Sequence, residues 1–206
     1  MTLTTAELTS FIGALLWPLM RIGAMVGVAP VFGSGMVPVR IRLVLTLAVT
    51  LLLFPVLPAM PAVEPLSAPG LLVSVQQVLI GLAMGFSLRL VFSAMTMAGQ
   101  TVATSMGLGF ASTVDPQNGV QVPVVSQLYM ILATLLFLVL NGHLILIELI
   151  AGSFTSLPVA VDGLTRQGLW HLLSWGSEMF AGAMLVALPI VASILLLNIS
   201  FGVITR

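Results

Sequence analysis

Apolar residues fall into five long runs separated by short breaks rich in Pro, Gly or polar residues. The first run covers about Phe11–Val31 and ends at Pro30 and the Gly33-Ser34-Gly35 cluster. The second covers about Val39–Phe54, between Pro38 and Pro55, and a Pro-rich link with the single charge Glu64 follows. The third covers Gly70 to about Ser105, the fourth about Val124–Leu149 and the fifth about His171–Thr205. A more polar link, Gly152–Trp170, precedes the fifth run, and Pro189 lies inside it. Runs of this length and composition predict helices that cross or lie within a membrane.

The predicted helices are uneven. About 35 residues at ~1.5 Å per residue give roughly 50 Å, against a hydrocarbon core of about 30 Å. Tilt absorbs only part of that excess. The third and fifth helices therefore bend or project beyond the bilayer, with Pro189, and less strongly Gly81 or Gly85, as the kink positions. The second run, near 16 residues, is short for a span. Such unevenness suits helices packed against other proteins as well as lipid.

Composition fixes the class. Hydrophobic residues make up 59% and charged residues 6%, with a mean hydropathy of +1.22. Soluble domains carry roughly 25% charged residues. The chain reads as an all-α integral membrane protein, and nothing divides residues 1–206 into more than one domain. Net charge is zero, so no nucleic-acid partner is implied. Cysteine is absent, which excludes disulfides and thiol chemistry. All six basic residues are Arg; this fits cations held by several hydrogen bonds, and equally a GC-rich genome. No cleavable signal peptide is read at the start, where Glu7 stands and no basic residue precedes the apolar run, which itself contains Arg21. Arg40, Arg42 and Arg206 place the inner side at the first break and the last residue, with Arg166 against the rule.

One run is not uniformly apolar. Arg89, Ser93, Thr96, Gln100 and Thr104 recur at spacings of four, three, four and four, which sets them on one helix face. An intramembrane polar stripe faces a partner helix, a water-filled cavity or a transport path, and interhelical hydrogen bonding alone would also account for it. Gly23-x-x-x-Gly27 and Gly81-x-x-x-Gly85 match the spacing of close helix packing. The stripe leads into Met106–Pro123, a Gly-rich and nearly uncharged loop between two of the longest apolar runs. Its backbone groups must be satisfied at a water surface, inside protein or along a wet space. Gly107 and Gly109 allow a sharp bend.

Candidate catalytic sets are missing from the motifs. His143 and His171 form no His-Glu-x-x-His pattern, and neither a Gly-x-Ser-x-Gly elbow nor a phosphate-binding Gly-Lys loop occurs. No cofactor or metal is implied. Asn141-Gly142-His143 reads as a kink with a hydrogen-bonded His. The absence of repeats or paired broken helices argues against a stand-alone secondary transporter or channel.

Ala29-Pro30-Val31-Phe32-Gly33, Val37-Pro38-Val39-Arg40-Ile41-Arg42, Gly81–Phe92, Ala98-Gly99-Gln100, Met106–Ala111, Val114-Asp115-Pro116, Asn141-Gly142-His143 and Ser153–Pro158 together resemble the FliR family. That family comprises export-gate subunits of flagellar and virulence type III secretion, and the Asn-Gly-His run leans to the flagellar branch. The resemblance is collinear over nearly the whole chain. Members continue past the position of Arg206 into another apolar segment. The resemblance implies long kinked helical hairpins, with four FliP-like helices followed by the start of a FliQ-like hairpin. It implies a non-enzymatic pore subunit in the bacterial inner membrane, within the flagellar basal body. The implied partners are FliP-type and FliQ-type subunits, an FlhB-type protein and unfolded export substrates. By the same resemblance Met106, Gly107, Leu108, Gly109, Phe110 and Ala111 form a plug in the lumen. Leu108 and Phe110 would seal it, and Asp115-Pro116 would mark the turn back.

Overall fold

The computed structural model describes residues 5–205 except 62, 116–118 and 120, with side chains from Gly13 onward. Arg206 and Pro116, which carry part of the expected orientation and turn, lie outside the described residues, as does the side chain of Glu7. Six α-helices dominate: α1 Thr5–Val28, α2 Val39–Leu53, α3 Ala68–Ser105, α4 Val124–Val139, α5 Gly142–Ser156 and α6 Arg166–Ile204. Two strands, β1 Ser112–Val114 and β2 Gln121–Pro123, lie between α3 and α4. By length and apolarity three helical stretches can cross a membrane, or four if the α4–α5 pair counts as one span.

The helix starts follow local chemistry. Ser67 caps α3 by accepting from the Gly70 amide, and Thr165 caps α6 by accepting from Gly168. Each hydroxyl satisfies one of the amides a helix start leaves without a partner. Pro69 sits in the first turn of α3, where a missing N–H costs nothing.

The helix runs on without interruption through Gly81 and Gly85 in α3 and through Pro189 in α6. The chain breaks within the run Val124–Leu149, at Asn141-Gly142-His143, where the sequence predicts a kink. There α4 and α5 meet at 66°. Asn141 holds the left-handed conformation, φ 55°, at the junction, and Asn tolerates that region better than most residues. The hydrogen bond expected of His143 is not made: among the described residues its buried Nδ1 has no partner.

The core joins α1, α2, α3 and α5 through Trp17, Ile22, Met25, Val49, Val73, Ile150 and Phe154. α3 is its axis, packing along α1, α4 and α6. Gly81 makes this possible, because a Cβ there would collide with the Arg21 carbonyl of α1; at Gly85 it would lie 2.8 Å from the Met25 carbonyl. Of the two small-residue motifs, this one is a close helix contact. In the other, a Cβ on Gly23 would stand 3.2 Å from the Thr46 methyl of α2, while a Cβ on Gly27 meets nothing within 4 Å. Gly99 plays the same part against α4, where a Cβ would lie 2.5 Å from the Ser126 Cα.

A buried cation ties three helices together. Arg21, 0% exposed, donates from Nε and Nη2 to Gln77 Oε1 of α3. Its Nη1 reaches the Ser153 carbonyl and hydroxyl at 2.9 and 3.0 Å, and its Nη2 reaches the Leu157 carbonyl at 2.9 Å. These five contacts match the five N–H groups of a guanidinium. The face of the guanidinium lies 4.1 Å from the Phe154 ring centre, a cation–π contact. Each of these acceptors is neutral. The Ser153 and Leu157 carbonyls belong to the C-terminal end of α5, where the aligned peptide dipoles carry partial negative charge. The end of α5 thus compensates a charge that would otherwise be costly to bury.

Candidate functional site

The polar stripe of α3 faces open space. Arg89, Ser93, Thr96 and Gln100 line a cavity of about 650 Å³. Gln100 and Thr104 continue into a second, of about 780 Å³, which Gly109, Phe110, Ser112 and Gln121 also border. Met97 and Gln100 belong to both, so the two form one groove along α3. Within this chain the stripe borders open space along most of its length. Ser and Thr still satisfy their hydroxyls locally: Thr96 donates to the Phe92 carbonyl and Thr104 to that of Gln100. Those bonds leave the hydroxyl oxygens directed at the groove as acceptors.

The end of α3 explains how the chain leaves the helix. Gly107 has φ +75°. Its amide donates to the Thr104 carbonyl at 3.1 Å, and the Leu108 amide donates to that of Ala103 at 2.9 Å. This pair of bonds around a left-handed glycine is the Schellman stop, which satisfies carbonyls a helix end would otherwise leave open. Gly109 has no positive φ, and a Cβ there would find nothing nearer than 3.8 Å. The bend therefore rests on Gly107 alone, a correction to the shared role expected of the two glycines.

Beyond the stop, the expected loop is largely structured. The Ala111 amide donates to the Leu108 carbonyl, and the Val124 amide donates to the Ala111 carbonyl, closing the base. Within it β1 and β2 pair antiparallel, with Ser112 opposite Pro123 and Val114 opposite Gln121. Short polar runs around missed turn chemistry hide such a hairpin from periodicity; the signal available was the alternation Ser-Thr-Val and Gln-Val-Pro. Val122 and Asp115 point inward: Asp115 is 2% exposed and, with Arg89, lines the first cavity. The Asp115 carbonyl accepts from the Gly119 amide at 2.8 Å.

The tip behaves oppositely. Phe110 is 100% exposed, Met106 and Leu108 are about half exposed at 50% and 44%, and Gly107, Gly109 and Ala111 are open. The bare Phe110, near Met106 and Leu108, has no partner among the described residues. The segment is thus divided into an anchored base, seated by Asp115 and Val122, and an apolar tip that points away.

The far wall of that first cavity is the α1–α2 turn, through Val28, Ala29, Pro30, Gly33 and Ser34. Val31 within it has φ +74°, a strained setting for a β-branched residue. Arg42 holds this turn from outside, donating to the Val37 and Ser34 carbonyls at 2.9 and 3.0 Å. Arg21, Arg42 and Val31 carry no weight in the stripe-and-loop reading of the sequence. Only the lone arginine inside the first apolar run marked Arg21.

Known proteins resemble the chain over nearly all of its length. It is 36% identical to the flagellar biosynthetic protein FliR of Escherichia coli (strain K12), over 98% of this chain and 77% of that protein. It is 34% identical to the protein of that name from Pectobacterium carotovorum subsp. carotovorum, over 100% of this chain and 78% of the relative. With the Bacillus subtilis (strain 168) protein of that name the identity is 27%, over 94% and 75%. Residues 12–206 match the model of the bacterial export proteins, family 1. A match of that extent, on a helical scaffold built for a membrane, makes the chain a member of the bacterial export protein family 1.

Proposed function

We propose that the chain is a pore-lining subunit of the flagellar type III protein export gate in the bacterial inner membrane, at the flagellar basal body. In this reading it is a non-enzymatic wall and closure element. It assembles with FliP-type and FliQ-type subunits and an FlhB-type protein, and unfolded substrates pass along the polar face of α3. Met106–Ala111 plugs the lumen.

The observation that carries the reading is one juxtaposition. The stripe Arg89–Ser93–Thr96–Gln100–Thr104 lines a groove, and at its end stands a loop whose apolar tip is bare while its base is anchored. A polar wall solvates passing backbone groups weakly enough to let them go. An apolar tip placed across such a path excludes water and ions. Asp115 holds the base in the groove, so the tip has a fixed root.

Deleting Gly107–Ala111 in the assembled complex tests the reading. Planar-bilayer conductance is expected to rise, and ion leak in cells to slow growth. Conductance equal to that of the unaltered complex would remove the plug assignment. A chain that purifies as a stable monomer or homo-oligomer, without two other hydrophobic subunits, would remove the gate assignment.

A further inference from the structure

We propose that the slot between α3 and α6 seats an acyl chain of an amine-headed phospholipid, with Glu178 at its rim. The two helices run side by side in the same direction. Near their starts the Leu164 amide donates to Gln76 Oε1 at 3.1 Å, and further along Ala183 and Ala187 cluster with Ala94, Ala98 and Val102. Residues of both helices, from Ser87 to Met95 on α3 and from Trp175 to Val186 on α6, line a cavity of about 450 Å³. That falls within the size range of sites for small ligands, roughly 300–1,000 Å³.

The slot is graded along its length. Ser87, Trp175 and Glu178 stand at one end, and Ala94, Met95, Leu185 and Val186 at the other. From Ser87 to Met95 the helix rises about 12 Å, which suits part of one acyl chain. The grading has the polarity of a phospholipid: a charged, hydrogen-bonding end and a hydrocarbon end. Three observations point to a bilayer lipid as occupant. Trp170 and Trp175 are exposed at 70% and 54%, and exposed Trp is the mark of the headgroup level. They stand where α6 changes character, since Arg166 and Glu178 are its only charged residues and none follows Glu178 up to Ile204. Those 26 residues rise about 39 Å, enough to cross a hydrocarbon core of about 30 Å. The third observation is charge: Glu178 is the one charged residue lining the slot. An isolated carboxylate at the headgroup level attracts an ammonium and repels an anionic head.

Lipid binding is independent of whether Met106–Ala111 plugs a pore, so each reading can fail alone. The test uses the chain in its native complex, reconstituted in nanodiscs, with Trp170→Phe so that Trp175 reports. Trp17 is fully buried and supplies a constant background. The lipids carry acyl-chain bromines and either an ethanolamine or a glycerol head at equal mole fraction. Trp175 is expected to be quenched at least twofold more by the ethanolamine lipid. Glu178→Gln is expected to erase that difference. Gly182→Leu places a side chain where a Cβ meets nothing within 4 Å, inside the slot, and is expected to lower quenching by both lipids without changing complex assembly. Equal quenching by the two lipids in the parent complex, or quenching untouched by Gly182→Leu, would overturn the proposal. So would no quenching at all, which would put a protein partner in the slot.

Discussion

Replacing Arg21 probes the fold most sharply, because two substitutions of similar size separate charge from hydrogen bonding. Arg21→Met removes the charge and leaves Gln77 Oε1 and the Leu157 carbonyl without their donor. The Ser153 carbonyl keeps the Leu157 amide, so two acceptors are orphaned, at about 1–3 kcal/mol each. Release of a buried charge from its desolvation penalty offsets part of this, and a net loss near 2–4 kcal/mol is expected. Arg21→Lys keeps the charge but offers three donors in place of five and no planar face for Phe154. A buried cation with incomplete partners costs about 3–5 kcal/mol. Lys, the milder change by charge, is therefore expected to be at least as damaging as Met. Adding Gln77→Leu to Arg21→Met removes one orphan and should recover about 1 kcal/mol. The assay is thermal or denaturant unfolding of the purified complex in detergent, followed through the burial of Trp17. A Lys variant within about 0.5 kcal/mol of the parent would refute the reasoning, since it would mean that charge alone, without the five-bond geometry, holds α1, α3 and α5 together.

Glycine positions give a second set of outcomes. Gly107→Ala should cost about 1–2 kcal/mol at its left-handed φ and loosen amide protection of Leu108 in hydrogen exchange, whereas Gly109→Ala should be neutral in both measurements. Gly81→Ala drives a methyl into the Arg21 carbonyl and should cost about 1–3 kcal/mol; Gly27→Ala, with open space around it, should raise the melting temperature slightly. Val31→Gly relieves the strained α1–α2 turn and is expected to stabilise by about 0.5–1 kcal/mol, net of the flexibility glycine adds to the unfolded chain. Asp115→Asn should leave the helices intact but free the base of the 106–123 segment, read as faster hydrogen exchange at Ala111 and Val124.

The membrane class, the helical runs and the stripe on α3 followed from the sequence alone, because each rests on local periodicity. Charge scarcity excludes a soluble surface whatever the fold, and spacings of three and four place Arg89 to Thr104 on one face of any helix. Even the end of α3 was half legible, since Gly107 follows the last periodic residue. Periodicity cannot say what lies opposite a face. Only the tertiary structure put the α1–α2 turn and the β1–β2 hairpin across from the stripe and made it a groove. It also set the angle at Asn141-Gly142-His143, the kink the sequence marks, where a left-handed residue ends one helix and the next sets off at 66°. Arg21 shows the limit most plainly: its five bonds go to residues 56 to 136 positions away. What holds a charge in an apolar core is the meeting of distant backbone carbonyls, and no local pattern records such a meeting.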